Sequence, residues 1–191
     1  MTTPNYWIAG AGKCAQSALV DQIQQATGYD VWGHDHEFMP YTHQPHTIVH
    51  TNQTPIPPLP YGDYTCTMIL RRDLIQQAME SWIQTDRTHI NVVESMRAFT
   101  NYLMHIKLRI IRASDQPWAE RCVVYAEDLL EDTAQVMHNT YLLSSTALQP
   151  NLNQTIPHVQ LTYYREIRQH LTYRFAQDFD EVDYLLKQFL K

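Results

Sequence analysis

Tyr6-Trp7-Ile8-Ala9-Gly10-Ala11-Gly12-Lys13-Cys14-Ala15-Gln16-Ser17-Ala18-Leu19-Val20 decides the fold, and the stretch runs on to Thr27-Gly28. Its first four residues form an apolar run, long enough for a buried strand. From Ala15 onward, apolar residues recur at Leu19, Val20, Ile23 and Ala26, at near-helical spacing. Between strand and helix lie two glycines and Lys13. A strand, a glycine turn and a helix point backbone N–H groups and a helix N-terminus at an anion. Lys13 adds a mobile positive charge at the same place. The stretch reads as a phosphate-binding loop, with a plain strand-to-helix turn as the alternative. It departs from the nucleoside-triphosphatase loop G-x-x-x-x-G-K-[ST]. Gly12-Lys13 fits, but Trp7 stands at the first glycine and Cys14 at the closing hydroxyl. That hydroxyl normally holds Mg²⁺, so the loop suits phosphate without an obvious metal ligand.

A chain of 191 residues is one domain by default and can bury a sizeable core without staples. A net charge of −6 argues against a nucleic-acid-binding surface but allows a local basic pocket. Cys14, Cys66 and Cys122 are widely spaced and lie in or beside apolar segments, which predicts buried free thiols in a reducing compartment. Residues 1–5 show no signal peptide, and no apolar run approaches the ~20 residues of a membrane span. The expected location is the cytoplasm.

Along the chain, further strands are expected at 31–33, 47–51, 64–70 and 121–125. Gly28 suits a left-handed cap closing the first helix. Four prolines within 55–60 make 52–62 a loop. Asp73 can cap a helix carrying Leu74, Ile75, Ala78, Met79 and Trp82. A long amphipathic helix is expected over 91–113, with Val92, Met96, Phe99, Leu103, Ile106 and Ile110 on its apolar face. One helix should run from about 127 to 143, a polar loop should cover 149–160, and two helices should follow over 161–175 and 179–190. Strands alternating with helices imply an α/β, three-layer fold around a mainly parallel sheet. The domain is residues 1–191, with its core over 5–145 and terminal helices within 161–190.

In open α/β sheets, ligands sit beyond the carboxyl ends of the strands. That rule gathers Lys13, the cluster His34-Asp35-His36-Glu37, Asn52 and Arg71-Arg72 at one edge. Two separated cationic sites suit a ligand with two phosphates. In this pattern the chain resembles the P-loop-like sulfotransferases that use 3′-phosphoadenosine 5′-phosphosulfate (PAPS), over roughly residues 5–132. The family's Lys-Ser-Gly-Thr-Thr-x-Leu loop aligns with Lys13-Cys14-Ala15-Gln16-Ser17-Ala18-Leu19. Lys13, Ser17 and Leu19 match, Ala15 replaces the glycine and Gln16 a threonine. The family's 3′-phosphate arginine, with a serine about eight residues on, is similar to Arg71-Arg72 and Ser81, with Glu80 at the expected serine place. The pattern looks most similar to the branch that includes bacterial trehalose sulfotransferase, whose proposed catalytic glutamate corresponds to Glu37. Val124-Tyr125-Ala126-Glu127-Asp128-Leu129 resembles a later strand and helix start, a structural likeness.

The resemblance implies transfer of a sulfuryl group from PAPS to a hydroxyl-bearing acceptor, with 3′,5′-adenosine bisphosphate as product and no metal required. Negative charge grows on the leaving oxygen, and Lys13 is the cation placed to stabilise it. Glu37 is the implied base for the acceptor hydroxyl, with His36 or His34 as substitutes. Gly12, Lys13, Cys14, Ala15, Gln16 and Ser17 would line the 5′-phosphate, and Arg72, Arg71 and Ser81 the 3′-phosphate. Two alternatives stand beside this. One is a P-loop kinase of nucleotides or small molecules, which requires ATP and Mg²⁺. The other is a sulfotransferase-like fold that binds a nucleotide or protein without turnover, to which Ala15 and the shifted Ser81 point. Apart from either, the plain reading of Arg71-Arg72 is a pair of helix-start residues making ion pairs with Glu or Asp.

Overall fold

The computed structural model describes residues 4–10, 14–33, 43–51, 60–84, 92–145 and 158–191. The strands are β1 (Asn5–Gly10), β2 (Asp30–Gly33), β3 (Thr47–Thr51), β4 (Tyr64–Leu70) and β5 (Glu120–Tyr125). They form one sheet in the order β2-β3-β1-β4-β5, and every neighbouring pair is parallel. The sheet expected to be mainly parallel is therefore parallel among all described strands. The helices are α1 (Gln16–Thr27), α2 (Leu74–Gln84), α3 (Val92–Ser114), α4 (Ala126–Glu131), α5 (Thr133–Tyr141), α6 (His158–Arg174) and α7 (Ala176–Phe189).

Side-chain alternation along the strands divides the core into two layers. Tyr6 and Ile8 of β1, with Ile48, Ile69 and Val124, face α1, α4 and α5. Trp7 and Ala9 of β1, with Val49, Cys66 and Met68, face α2, α3, α6 and α7. Both faces of β1 and β4 are covered, which is why every residue of both strands is buried. The chain leaves β1 through α1 toward β2, and leaves β4 through α2 and α3 toward β5. Right-handed crossovers running in opposite directions put their helices on opposite faces. The order therefore reverses between β1 and β4, and a crevice is expected at their carboxyl ends.

Local signals account for several boundaries. Gly28 adopts φ 70° and its N–H donates to Gln24 O at 2.7 Å, closing α1 as its sequence implies. The helix expected over 127–143 is instead two. Asp132 leaves helical geometry and its carboxylate accepts the Gln135 N–H at 2.9 Å, so it ends α4 and caps α5. The loop expected over 149–160 does not reach 160, because His158 already opens α6, and 149–157 lie outside the described residues. A proline just ahead of a helix start is compatible with that, since the first N–H groups lack intrahelical partners anyway. Cys14 and Cys66 are buried, Cys122 is half-buried, and none is bridged. No helix among the described residues is long and apolar enough to cross a membrane.

Candidate functional site

At the carboxyl end of β1, Cys14 and Ala15 lead into α1. Ala15 sits in the left-handed region, at φ 58° and ψ 26°, and is the N-cap of α1. That conformation costs an L-residue roughly 1–2 kcal/mol, and the resembling loop carries glycine there. The first α-helical bond runs from the Leu19 N–H to Ala15 O at 3.1 Å, so the N–H groups of Ser17 and Ala18 precede the ladder, while that of Gln16 is turned to the Cys14 thiol. A left-handed residue leading into a helix makes a concave row of backbone donors suited to an anion. Ser17 is exposed in this first turn.

The side chains of Cys14 and Gln16 point the other way. Cys14 is 1% exposed, and a Cβ built on Gly10 would stand 2.5 Å from its sulfur. Burial pushes the thiol up to about 12, against the lowering pull of the Gln16 backbone N–H and of Arg109 and Arg71. Gln16 is buried too, and its Nε2 donates to Ile8 O at 2.9 Å. The side chain of Gln16, expected among the residues lining the 5′-phosphate, instead anchors β1. Neither the Cys14 thiol nor the Gln16 side-chain amide therefore faces a ligand here.

The neighbouring turn, from β4 into α2, is organised by charge. Arg71 is buried, its Nη1 donates to Glu80 Oε1 at 2.8 Å, and its backbone N–H donates to Gln77 Oε1 at 3.0 Å. Gln76 Nε2 donates to the same Glu80 oxygen at 2.9 Å. Arg72 is exposed and forks onto Asp128, at 2.5 and 2.7 Å. Its guanidinium also lies 4.5 Å from the centre of the Tyr125 ring. The hydrogen bonds to Asp128 hold its pKa above the usual value. Asp73 accepts the Gln76 N–H at 2.9 Å and pairs with Arg168 of α6 at 2.6 Å. α2 is uninterrupted, so Ser81 stays one position beyond Glu80. The carboxylate thus holds Arg71 where the resemblance places a phosphate-binding hydroxyl.

From the other face, α3 contributes two residues that the motif comparison does not name. Arg109 Nη1 donates to Gly10 O, the last carbonyl of β1. Tyr102 lies seven residues earlier, hence on the same side of the helix. Burial raises the Tyr102 phenol well above its usual value, Cys14 raises it further, and Arg109 and Arg71 pull it down. Arg109 was findable as a charge set between Ile106 and Ile110, on the margin of an otherwise apolar face.

Of the expected site residues, the structure brings Cys14, Ala15, Gln16, Ser17, Arg71 and Arg72 to this edge of the sheet. Gly12, Lys13, His34, His36, Glu37 and Asn52 lie outside the described residues, as does the Ser81 side chain. Among the described residues, no three His, Cys, Asp or Glu side chains come together as metal ligands. Compared with protein-family models, curated proteins and solved structures, the chain matches none.

Proposed function

We propose that the chain binds a phosphate-bearing nucleotide where β1 meets α1, and that it is a PAPS-dependent sulfotransferase acting on a hydroxyl-bearing acceptor. The observation that supports this is the left-handed Ala15, which preserves a glycine-like turn at the carboxyl end of β1 in spite of its Cβ. The donors of α1 fit a 5′-phosphate there. For the 3′-phosphate, Arg72 is the accessible candidate, because it is exposed and its bond to Asp128 is exchangeable with solvent. When bound, PAPS supplies the activated sulfuryl group. The chain's own part is to hold the phosphates, to place the Lys13 charge at the leaving oxygen, and to accept the acceptor's proton on Glu37.

Calorimetric titration with 3′,5′-adenosine bisphosphate, beside ADP with and without Mg²⁺, tests the proposal. The bisphosphate should bind independently of Mg²⁺, and Arg72→Ala should weaken it about tenfold, as loss of a charged hydrogen bond implies. A preference for Mg-ADP would overturn it in favour of a kinase. A second reading, a nucleotide-binding protein without turnover, is favoured by the Arg71–Glu80 pair, which occupies one of the two cations. It predicts bisphosphate binding with no sulfuryl transfer to any acceptor.

A further inference from the structure

A cleft of about 750 Å³ opens between α3 and the junction of α6 with α7. That is the size of a site for a small organic molecule. Every residue lining it is among the described residues, and none belongs to the β1–α1 or β4–α2 turn. Met96, Arg97 and Thr100 of α3 form one wall, on one face of that helix. The other wall is the short passage from Tyr173 to Asp178. Leu171 O accepts the Phe175 N–H and Phe175 O accepts the Phe179 N–H, at 3.0 and 3.1 Å, so Phe175 alone carries the chain from α6 into α7. Its ring turns into the core and meets Phe99 of α3 edge-on at 5.1 Å. One aromatic contact therefore sets the spacing of the two walls.

The charges at this cleft are uneven. Arg97 and Arg174 both line it and are exposed, and among the described residues neither makes an ion pair or a hydrogen bond. The one acid of the lining, Asp178, is already engaged, because its carboxylate accepts from Lys107 Nζ at 2.6 Å. The chain carries a net charge of −6, so acids are plentiful, yet no described one meets these two arginines. Like charges beside one cavity repel, and an anion between them turns that repulsion into attraction. The rest of the lining suits an organic body. Phe175 is buried and Met96 half-buried, and they form the inner surface. Tyr173 is 90% exposed and presents its ring at the rim, a surface that a bound ligand would cover. The exposed amide of Gln177 adds a neutral donor.

We propose that this cleft binds a phosphate monoester with a small apolar or aromatic body. Its phosphate is clamped between Arg97 and Arg174, and its body lies against Met96, Phe175 and Tyr173. A guanidinium fork takes phosphate oxygens two at a time, and a dianionic phosphate has oxygens enough for two forks. A monocarboxylate has enough for one. The site is independent of the nucleotide reading above, since neither Arg72 nor the β1–α1 turn takes part.

Calorimetric titration of the full chain with phenyl phosphate tests the proposal, with benzoate and inorganic phosphate as comparison probes. Phenyl phosphate should bind with a Kd below about 1 mM, as two charged hydrogen-bonding groups imply. Inorganic phosphate lacks the apolar body and benzoate lacks oxygens for the second fork, so each should bind about tenfold more weakly. Arg97→Gln and Arg174→Gln should each weaken phenyl phosphate about tenfold, and Tyr173→Ala about threefold. All three side chains are exposed, so these variants should keep the wild-type thermal midpoint. Lys187→Gln removes an exposed cation elsewhere on α7 and should change nothing. Arg72→Ala should also leave phenyl phosphate unaffected, which separates this cleft from the bisphosphate site. Absence of saturable binding up to about 10 mM phenyl phosphate would overturn the proposal. So would binding that survives both arginine changes, or that falls with Arg72→Ala instead. Benzoate as tight as phenyl phosphate would overturn the assignment to phosphate. A chain that binds phenyl phosphate through Arg97 and Arg174 but fails to bind 3′,5′-adenosine bisphosphate would remove the nucleotide site and support this one.

Discussion

The β1–α1 turn and the β4–α2 turn sit side by side, since Gly10 is in register with Ile69. They are built on different principles. The first is held by its backbone: a left-handed Ala15, two anchored carbonyls, and the side chains of Cys14 and Gln16 turned inward. The second is held by charge, with Arg71 on Glu80, Arg72 on Asp128 and Arg168 on Asp73. A pair of arginines at a strand end reads as an anion site only while its neighbours go uncounted. Once they are counted, the backbone-held turn has more to offer a phosphate. Exposure separates even the two arginines, because the Arg71 side chain is 8% exposed and that of Arg72 54%.

The largest effect should come from breaking the buried half of the charged turn. Glu80→Ala leaves the Arg71 guanidinium buried and uncompensated, which should cost about 3–5 kcal/mol. Asp128→Ala frees an arginine that water can solvate, and should cost less than about 1 kcal/mol. Urea denaturation of the two variants measures the contrast. Equal, small losses would mean that Arg71 is not sealed in and that the two arginines are alike.

That contrast also marks where the sequence stops being informative. The strands were legible because apolar runs bounded by turn residues leave few alternatives. The α3 face was legible because Phe99, Leu103, Ile106 and Ile110 repeat at helical spacing, and all four are buried. Gly28 was legible because only a left-handed cap needs it. The split at Asp132 was not, because an acid can continue a helix or cap the next, and tertiary packing chooses. Nor could Gln16 be read, since an amide can equally face a ligand or the carbonyl of Ile8. Glu80 was visible as a misfit beside Ser81, but its partner depends on whether Arg71 turns inward beyond the last residue of β4. Contacts such as Arg109 to Gly10 join residues 99 positions apart and have no local signature.

A smaller effect should appear in alkali, and it belongs to the backbone-held turn. Burial holds the Cys14 thiol up to about 12, against an ordinary value of 9.0. Above about pH 9 the unfolded chain loses this proton while the folded chain keeps it. The unfolded state then binds fewer protons, so stability falls as pH rises, by about 1.4 kcal/mol per unit until about pH 12. Tyr6, pushed up to about 12, and Cys122, pushed up to about 11, add slopes of the same sign. The specific expectation is therefore a difference. Cys14→Ala should lose stability more gently than wild type between pH 9 and 11, by about one proton's worth of slope. Identical slopes in denaturation curves across that range would mean that the thiol is open to solvent and that the turn is looser than described.

The smallest effect carries the clearest sign. Ala15→Gly removes the left-handed penalty of roughly 1–2 kcal/mol and adds back about 0.5–1 kcal/mol of unfolded-chain entropy. The net should be a gain of up to about 1.5 kcal/mol, with Ala15→Val moving strongly the other way because a β-branched residue tolerates this region least. The same glycine placed in the neighbouring turn should act oppositely. Asp73→Gly removes the acceptor for the Gln76 N–H and the partner of Arg168, so it should destabilise by some tenths to about 1 kcal/mol. A turn held by backbone geometry is improved by a residue that eases that geometry, whereas a turn held by charge is weakened when the same residue deletes a charge. A loss at both positions would mean that Ala15 is comfortable where it stands, and the glycine-like turn would then be no argument for a phosphate.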